Sequence, residues 1–479
     1  MSFGGRLLVG AVVAAVVAVG GLQLEAQVGA RAIAPGPSVE ELSGAWYCPH
    51  GGGEGWQAWV VVANPSDAAA TLRVSTHAGS TPESSQTVLE PGTSRYLEVA
   101  APVMASATVV EYFGAEVAAG MVVAAGEDGG VAAEPCAGNA GGRWYVPEAS
   151  TLRGEQASAV ITNPFAANAV VDLALYAGDR QIRPGPLRGL VLEPGRTKAV
   201  NLNRFALGEE SLSVEVTALL GRVAVSGMVT SNSGVRAVQA VPEAAHSWAL
   251  PGAGGAEGQD RLLVTSPSGL EAPFHATAQG GDGAFPVLDL ESARGGAVTG
   301  FEIEAQDASV LVEADGPDVL VVGRRLGGPA PAPPKEPPKD QKTGKDGPGK
   351  KKEADQEQEE PAPAASDVAS TSGVPAAAAS WVTIPPVVPG GGPAVLLIQN
   401  PGSEEAEVRV TLLGQGGPQG EETTLPVAPG ATARVDLPAG DPPAAVVEAL
   451  QGSVVPAQIT PDPAAYALSV GIPVGRPTG

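Results

Sequence analysis

Apolar and polar residues alternate in several short stretches of this chain. In residues 406–413, Val408, Val410 and Leu412 share one side, and residues 71–76 and 170–176 alternate in the same way. A period of two marks strands with one buried face. Unbroken runs such as Val60-Val61-Val62 and Val109-Val110 also favour extended backbone, because β-branched side chains fit a pleated surface better than a helix. The Ala-rich stretches are short and cut by Gly and Pro, so helices are not expected there.

The strand pattern recurs as a phrase. An aromatic-led opening with a Pro is followed, about fifteen residues on, by an apolar run ending in Asn-Pro or a relative of it. The four copies are Trp46-Tyr47-Cys48-Pro49 with Asn64-Pro65, Trp144-Tyr145-Val146-Pro147 with Asn163-Pro164, Trp248-Ala249-Leu250-Pro251 with Ser266-Pro267, and Trp381-Val382-Thr383-Ile384-Pro385 with Asn400-Pro401. Pro-Gly turns follow in three of them, at Pro91-Gly92, Pro194-Gly195 and Pro429-Gly430. Pro presets φ and Gly supplies the positive φ that such turns use. A repeat of roughly one hundred residues means tandem domains rather than one large core.

The first copy holds seven candidate strands, near Trp46 and at residues 58–63, 71–76, 85–89, 94–99, 107–112 and 116–124. That density predicts an all-β chain of tandem immunoglobulin-like antiparallel β-sandwich modules. The expected boundaries are 44–141, 142–243, 244–326 and 381–476. The third module has lost the Pro-Gly turn and reads as degenerate. Between it and the fourth, residues 327–380 run from Pro-Ala repeats through a Lys block and an acidic block; the composition predicts a disordered tether from which the fourth module swings freely. The short connections between the first three modules predict a semi-rigid rod.

Residues 1–32 form a leader. Arg6 precedes an uncharged run, residues 7–24, which at 1.5 Å per residue spans roughly 27 Å, just enough for a bilayer core. It is expected to direct export, either as a membrane anchor or as a signal peptide cleaved near Ala30-Arg31-Ala32. Export makes a disulfide between Cys48 and Cys136 the expected state of the two cysteines, stapling both ends of the first module. The competing arrangement, a metal held by Cys48, His50 and Cys136, offers three ligands at a spacing foreign to zinc sites.

Charge narrows the partners. The 479 residues carry a formal net charge of -24 with only 28 Lys and Arg, which argues against an electrostatic partnership with nucleic acid. No twelve-residue calcium loop is present. The four histidines have no Ser or Cys motif beside them, and neither a Gly-x-Ser-x-Gly elbow, a His-Glu-x-x-His helix nor a phosphate-cradling glycine loop occurs, so neither catalysis nor a cofactor is expected. One Trp per module at the same place reads as a core plug. Trp56 and Tyr47 are the exceptions, candidates for stacking on a sugar ring. The recurring Asn-Pro reads as a strand end whose amide bonds to nearby backbone.

Trp46-Tyr47-Cys48-Pro49, Asn64-Pro65, Trp144-Tyr145-Val146-Pro147 and Asn163-Pro164, behind an apolar N-terminal segment, resemble a domain-of-unknown-function family of exported actinobacterial proteins. The resemblance implies an envelope location and a β-rich ectodomain, and brings no catalytic residue. The expected function is a non-catalytic cell-envelope scaffold, membrane anchored or secreted, whose partner is an envelope protein. The alternative is a cell-wall polysaccharide-binding accessory protein using Trp56 and Tyr47.

Overall fold

The computed structural model describes residues 42–78, 82–100, 102–126, 130–231, 234–253, 260–305, 307–327, 368–438, 442–462 and 466–475. The expected leader helix and the Pro/Lys/Glu-rich stretch 328–367 lie outside these residues. No described helix is long and apolar enough to cross a membrane. The described chain is all-β, with two single-turn 3-10 segments, Gly185–Leu187 and Leu202–Arg204.

Module one has eight strands: β1 (Ser43–Cys48), β2 (Gln57–Ala63), β3 (Ala70–His77), β4 (Glu83–Leu89), β5 (Ser94–Val99), β6 (Ala107–Phe113), β7 (Ala118–Ala124) and β8 (Val131–Pro135). They form two antiparallel sheets, in the orders β1-β6-β3-β4 and β5-β2-β7-β8. The pairings of second with fifth and third with sixth strand are those of an immunoglobulin sandwich; the first strand, however, lies beside the sixth and the seventh beside the second. β8, the short Val-Ala-Ala-Glu-Pro segment, is the strand that the alternation does not reveal. The same eight positions and the same two orders recur in all four modules, with the fourth position split in module two and an added edge strand (Ile472–Pro473) in module four.

The third module is therefore complete, and its last strand corrects the expected boundaries. Val368–Ser372 pairs antiparallel with Val321–Gly327, from Gly323↔Ser372 to Gly327↔Val368. Residues 328–367 thus sit between the seventh and eighth strands of module three, as an insertion inside a module. They are not a tether between modules, and 368–372 belongs to the fold. The sequence misled because a change of composition looks the same inside a module as between two.

The rod is also corrected, because the modules close into a ring. In each, the second strand of the sheet 5-2-7-8 is buried on both sides. Val60, Val62, Met121 and Val123 face the core of module one, whereas Trp59, Val61, Val122 and Ala133 face outward onto Val382, Ile384, Leu413 and Ala444 of module four. The start of the fifth strand meets the end of the third strand of the preceding module at each junction. Gly195, just before the fifth strand of module two, has its carbonyl 2.9 Å from His77 Nδ1 of module one. Val298 N donates to Gly178 O of module two (3.2 Å), and Thr432 Oγ1 to Gln279 O of module three (2.6 Å). Ser94 Oγ of module one closes the circuit by donating to Leu413 O of module four (2.5 Å). A head-to-tail contact repeated until it meets itself makes a closed ring, here from one chain. The fourth module is held on both sides, by modules three and one.

Candidate functional site: the axial mouth and its charged junction

The four eighth strands converge on the axis of the ring. Toward their starts, Ala132, Arg236, Ala369 and Ala467, which occupy one position in four modules, enclose a void of only about 10 Å³. Toward their ends the axis widens into a cavity of about 460 Å³. Four repeated positions build it: Cys136, Ala240, Gly373 and Gly471, with Gly138, Pro242, Pro375 and Pro473 at an exposed rim. Trp46, Trp144 and Trp381 flank it. Two of the small residues are fixed by their neighbours: a Cβ on Gly373 would lie 2.8 Å from Trp248, and one on Gly471 2.8 Å from Pro456 and 3.1 Å from Trp381.

The Trp plugs are core residues. Trp144, Trp248 and Trp381 are buried and Trp46 is half-buried. Each indole N–H is satisfied by a backbone carbonyl: Trp46 by Val117 (2.6 Å), Trp144 by Val223 (2.7 Å), Trp248 by Leu320 (2.9 Å), and Trp381 by Ala378 (3.0 Å). The first three acceptors immediately precede the seventh strand. Beside the plug of module one, Cys48 and Cys136 form a disulfide. Val146 with Ala240 holds the same place in module two, and Leu250 with Gly373 in module three. One covalent staple therefore has packed apolar counterparts elsewhere in the ring.

Neither candidate sugar-stacking residue is a free platform. Tyr47 leans on Phe165 of module two, ring centroids 6.4 Å apart, and the Arg222 guanidinium covers the other ring at 4.7 Å. Trp56 is half-buried against the core of module one, on the Gly53 turn. The Asn of each Asn-Pro is a structural knot. Buried Asn64 donates to the carbonyls of Ala68 (2.8 Å), Leu89 (3.2 Å) and Glu90 (3.2 Å) and accepts the N–H of Ser66 (2.9 Å). Asn163 makes the same four bonds, to Ala167, Leu192, Glu193 and Phe165. One side chain thus ties the end of the second strand to the end of the fourth. In module three Ser266 keeps only local bonds, to Leu270 O (2.7 Å) and Ser268 Oγ (3.2 Å), beside a parallel bridge to Gly295.

The junction of modules two and three holds charge that the motif search passed over. Glu148, fully buried just after Pro147, receives Arg325 from the seventh strand of module three (3.0 and 2.5 Å), Ser370 from its eighth (2.5 Å), and Arg236 of module two at 3.6 Å. Burial alone would raise this carboxyl, but the two guanidiniums and the hydroxyl outweigh it and hold Glu148 at about 2. Next to Arg325, Arg324 turns into the core of module three, where it forks onto Asp260 (2.9 and 2.5 Å) and the Ala308 carbonyl (2.9 Å). An Arg pair inside an otherwise apolar strand, residues 321–326, is the signal that reveals both sites. His50, the position of Glu148 in module one, is buried and lowered to about 4 by burial, opposed by the Gly51 backbone. It is spent on Gly51 O (2.7 Å) and Thr108 Oγ1 (3.0 Å).

Residues 99–324 match the model of a family of unknown function, DUF5719. The match runs from the end of β5 to the seventh strand of module three; it includes Glu148, Arg236, Arg324 and part of the axial mouth, whereas Arg325 and Ser370 lie beyond it. No curated protein matches the chain.

Proposed function

We propose that this chain is a non-catalytic scaffold of the cell envelope that holds a protein partner on a rigid ring. One observation carries the reading: the head-to-tail contact closes on itself, so loops of all four modules are displayed in fixed relation to one another. A surface of preset geometry loses little entropy when it binds. The residues best suited to chemistry, His50, Glu148, Arg324 and the Asn knots, are engaged in holding strands and modules together. Export is supported by the apolar run of residues 7–24 and by a disulfide compatible with an extracellular location. Membrane anchoring, the finer part of the reading, rests on that run alone.

Crosslinking in intact cells, beside co-sedimentation of the chain with isolated envelope glycan at low and high salt, tests it. A discrete protein adduct with no glycan pelleting is the expected result. Pelleting that survives salt and falls in Trp56→Ala would overturn it in favour of polysaccharide binding.

A further inference from the structure

The geometry points to the axial mouth as a binding pocket for one uncharged, largely apolar small molecule. Its volume, about 460 Å³, lies in the range of small-molecule sites, roughly 300 to 1,000 Å³. It is blind, since the four eighth strands close the axis to a void of about 10 Å³ further in. A polypeptide therefore has no path through it, and the fitting occupant is compact or enters end-on.

Charge selects the chemistry. Among the described residues no ionisable side chain lines the mouth; its polar side chains are the amides of Asn139 and Gln239, and its indole N–H groups are already bonded to backbone. The contrast with the adjoining cleft between modules two and three, which shares Pro242 with the mouth, is direct, for that cleft is lined by Arg143 and Glu243. A charged ligand in the mouth would lose its hydration with no counter-charge to replace it. An apolar ring or branched chain would instead meet Trp edges and Pro rings, and two amides suffice to orient one polar group.

The test uses two dyes with one ring system, uncharged N-phenyl-1-naphthylamine and its sulfonated relative 1-anilinonaphthalene-8-sulfonate, titrated into the full chain. The uncharged dye is expected to bind with one-to-one stoichiometry and the sulfonate at least tenfold more weakly. Pro242 and Pro375 are exposed on the rim, so the pair Pro242→Glu and Pro375→Glu is expected to keep the melting temperature while weakening the uncharged dye tenfold or more. Pro242→Lys with Pro375→Lys is expected to admit the sulfonate. Should the Glu pair fail to fold, Asn139→Trp, also at the exposed rim, replaces it as the variant that must lose binding. No binding of the uncharged dye up to its solubility limit, equal binding of both dyes, or binding untouched by the rim variants would each overturn the proposal.

Discussion

Modules one and three carry the same eight strands and hold the last of them by opposite means. In module one only six residues, 125–130, separate β7 from β8, and the Cys48–Cys136 disulfide then fixes the end of β8 to β1. In module three the equivalent stretch is replaced by residues 328–367 and the disulfide by Leu250 and Gly373. Lengthening a loop by nearly three doublings costs only about 2 kcal/mol. What anchors the returning strand is its ladder with Val321–Gly327, the Ser370 hydroxyl on Glu148, and the buried pairs of Arg324 and Arg325 on the strand it joins. A covalent clamp and a charged one can thus serve one topology. They differ in what they depend on: redox state in the first case, complete pairing of buried charge in the second.

Breaking the charged clamp is expected to have the largest effect. Asp260→Ala leaves Arg324 buried without its partner and should destabilise by about 3–5 kcal/mol, as should Glu148→Gln for Arg325; chemical denaturation of each variant against the parent checks this. Replacing the disulfide by the counterpart that module two uses, Cys48→Val with Cys136→Ala, should cost about 2–4 kcal/mol. Reductant should then lower the melting temperature of the parent and leave that variant unmoved. Asn163→Ala unties the second strand from the fourth and should cost about 1–3 kcal/mol, whereas Ser266→Ala in module three, with fewer bonds to lose, should cost less.

Glu148 and His50, which hold equivalent positions in modules two and one, also separate on acidification. Glu148 is depressed in the folded state, so its stabilisation is complete above the ordinary carboxylate range and disappears as pH falls from about 4.5 to about 2. His50 is likewise depressed, and its contribution is complete above pH 6.5 and lost between there and about 4. These two groups should therefore contribute separate losses of stability as pH falls, partly offset by buried Glu134, whose raised carboxyl favours the folded state on acidification. His50→Gln is expected to remove the upper loss and Glu148→Gln the lower. The smallest effect is expected from proteolysis within residues 328–367: the two fragments should elute together from a sizing column, because β-ladder and interface contacts hold Val368–Ser372 in place.

Much of the sandwich was legible. Alternation in residues 71–76 and 406–413 located the third strands, and the Asn-Pro and Trp positions marked strand ends and plugs because each satisfies backbone groups within its own module. The ring was written less openly. Val60-Val61-Val62 is an unbroken apolar run, and a strand with no polar face is one covered on both sides; the second face could be covered by another module as well as by its own core. Nothing local identifies which module does so. Tyr47 illustrates the same limit, for its burial depends on Phe165 and Arg222, residues of the next module. The third module looked degenerate only because its turn lacks Pro-Gly, while the register that defines it is set by long-range pairing.

The junction where the circuit closes also has a topological consequence. The Leu42 carbonyl accepts the N–H of Gly114 (2.9 Å), and Gly475 N donates to Glu116 Oε1 (3.0 Å), so both ends of the ring lie at one turn of module one. Joining them through a short linker and opening the chain within residues 328–367 would give a circular permutant with the same contacts in a different order. The numbering of the modules is then a matter of where translation happens to start, and the architecture itself has no first member.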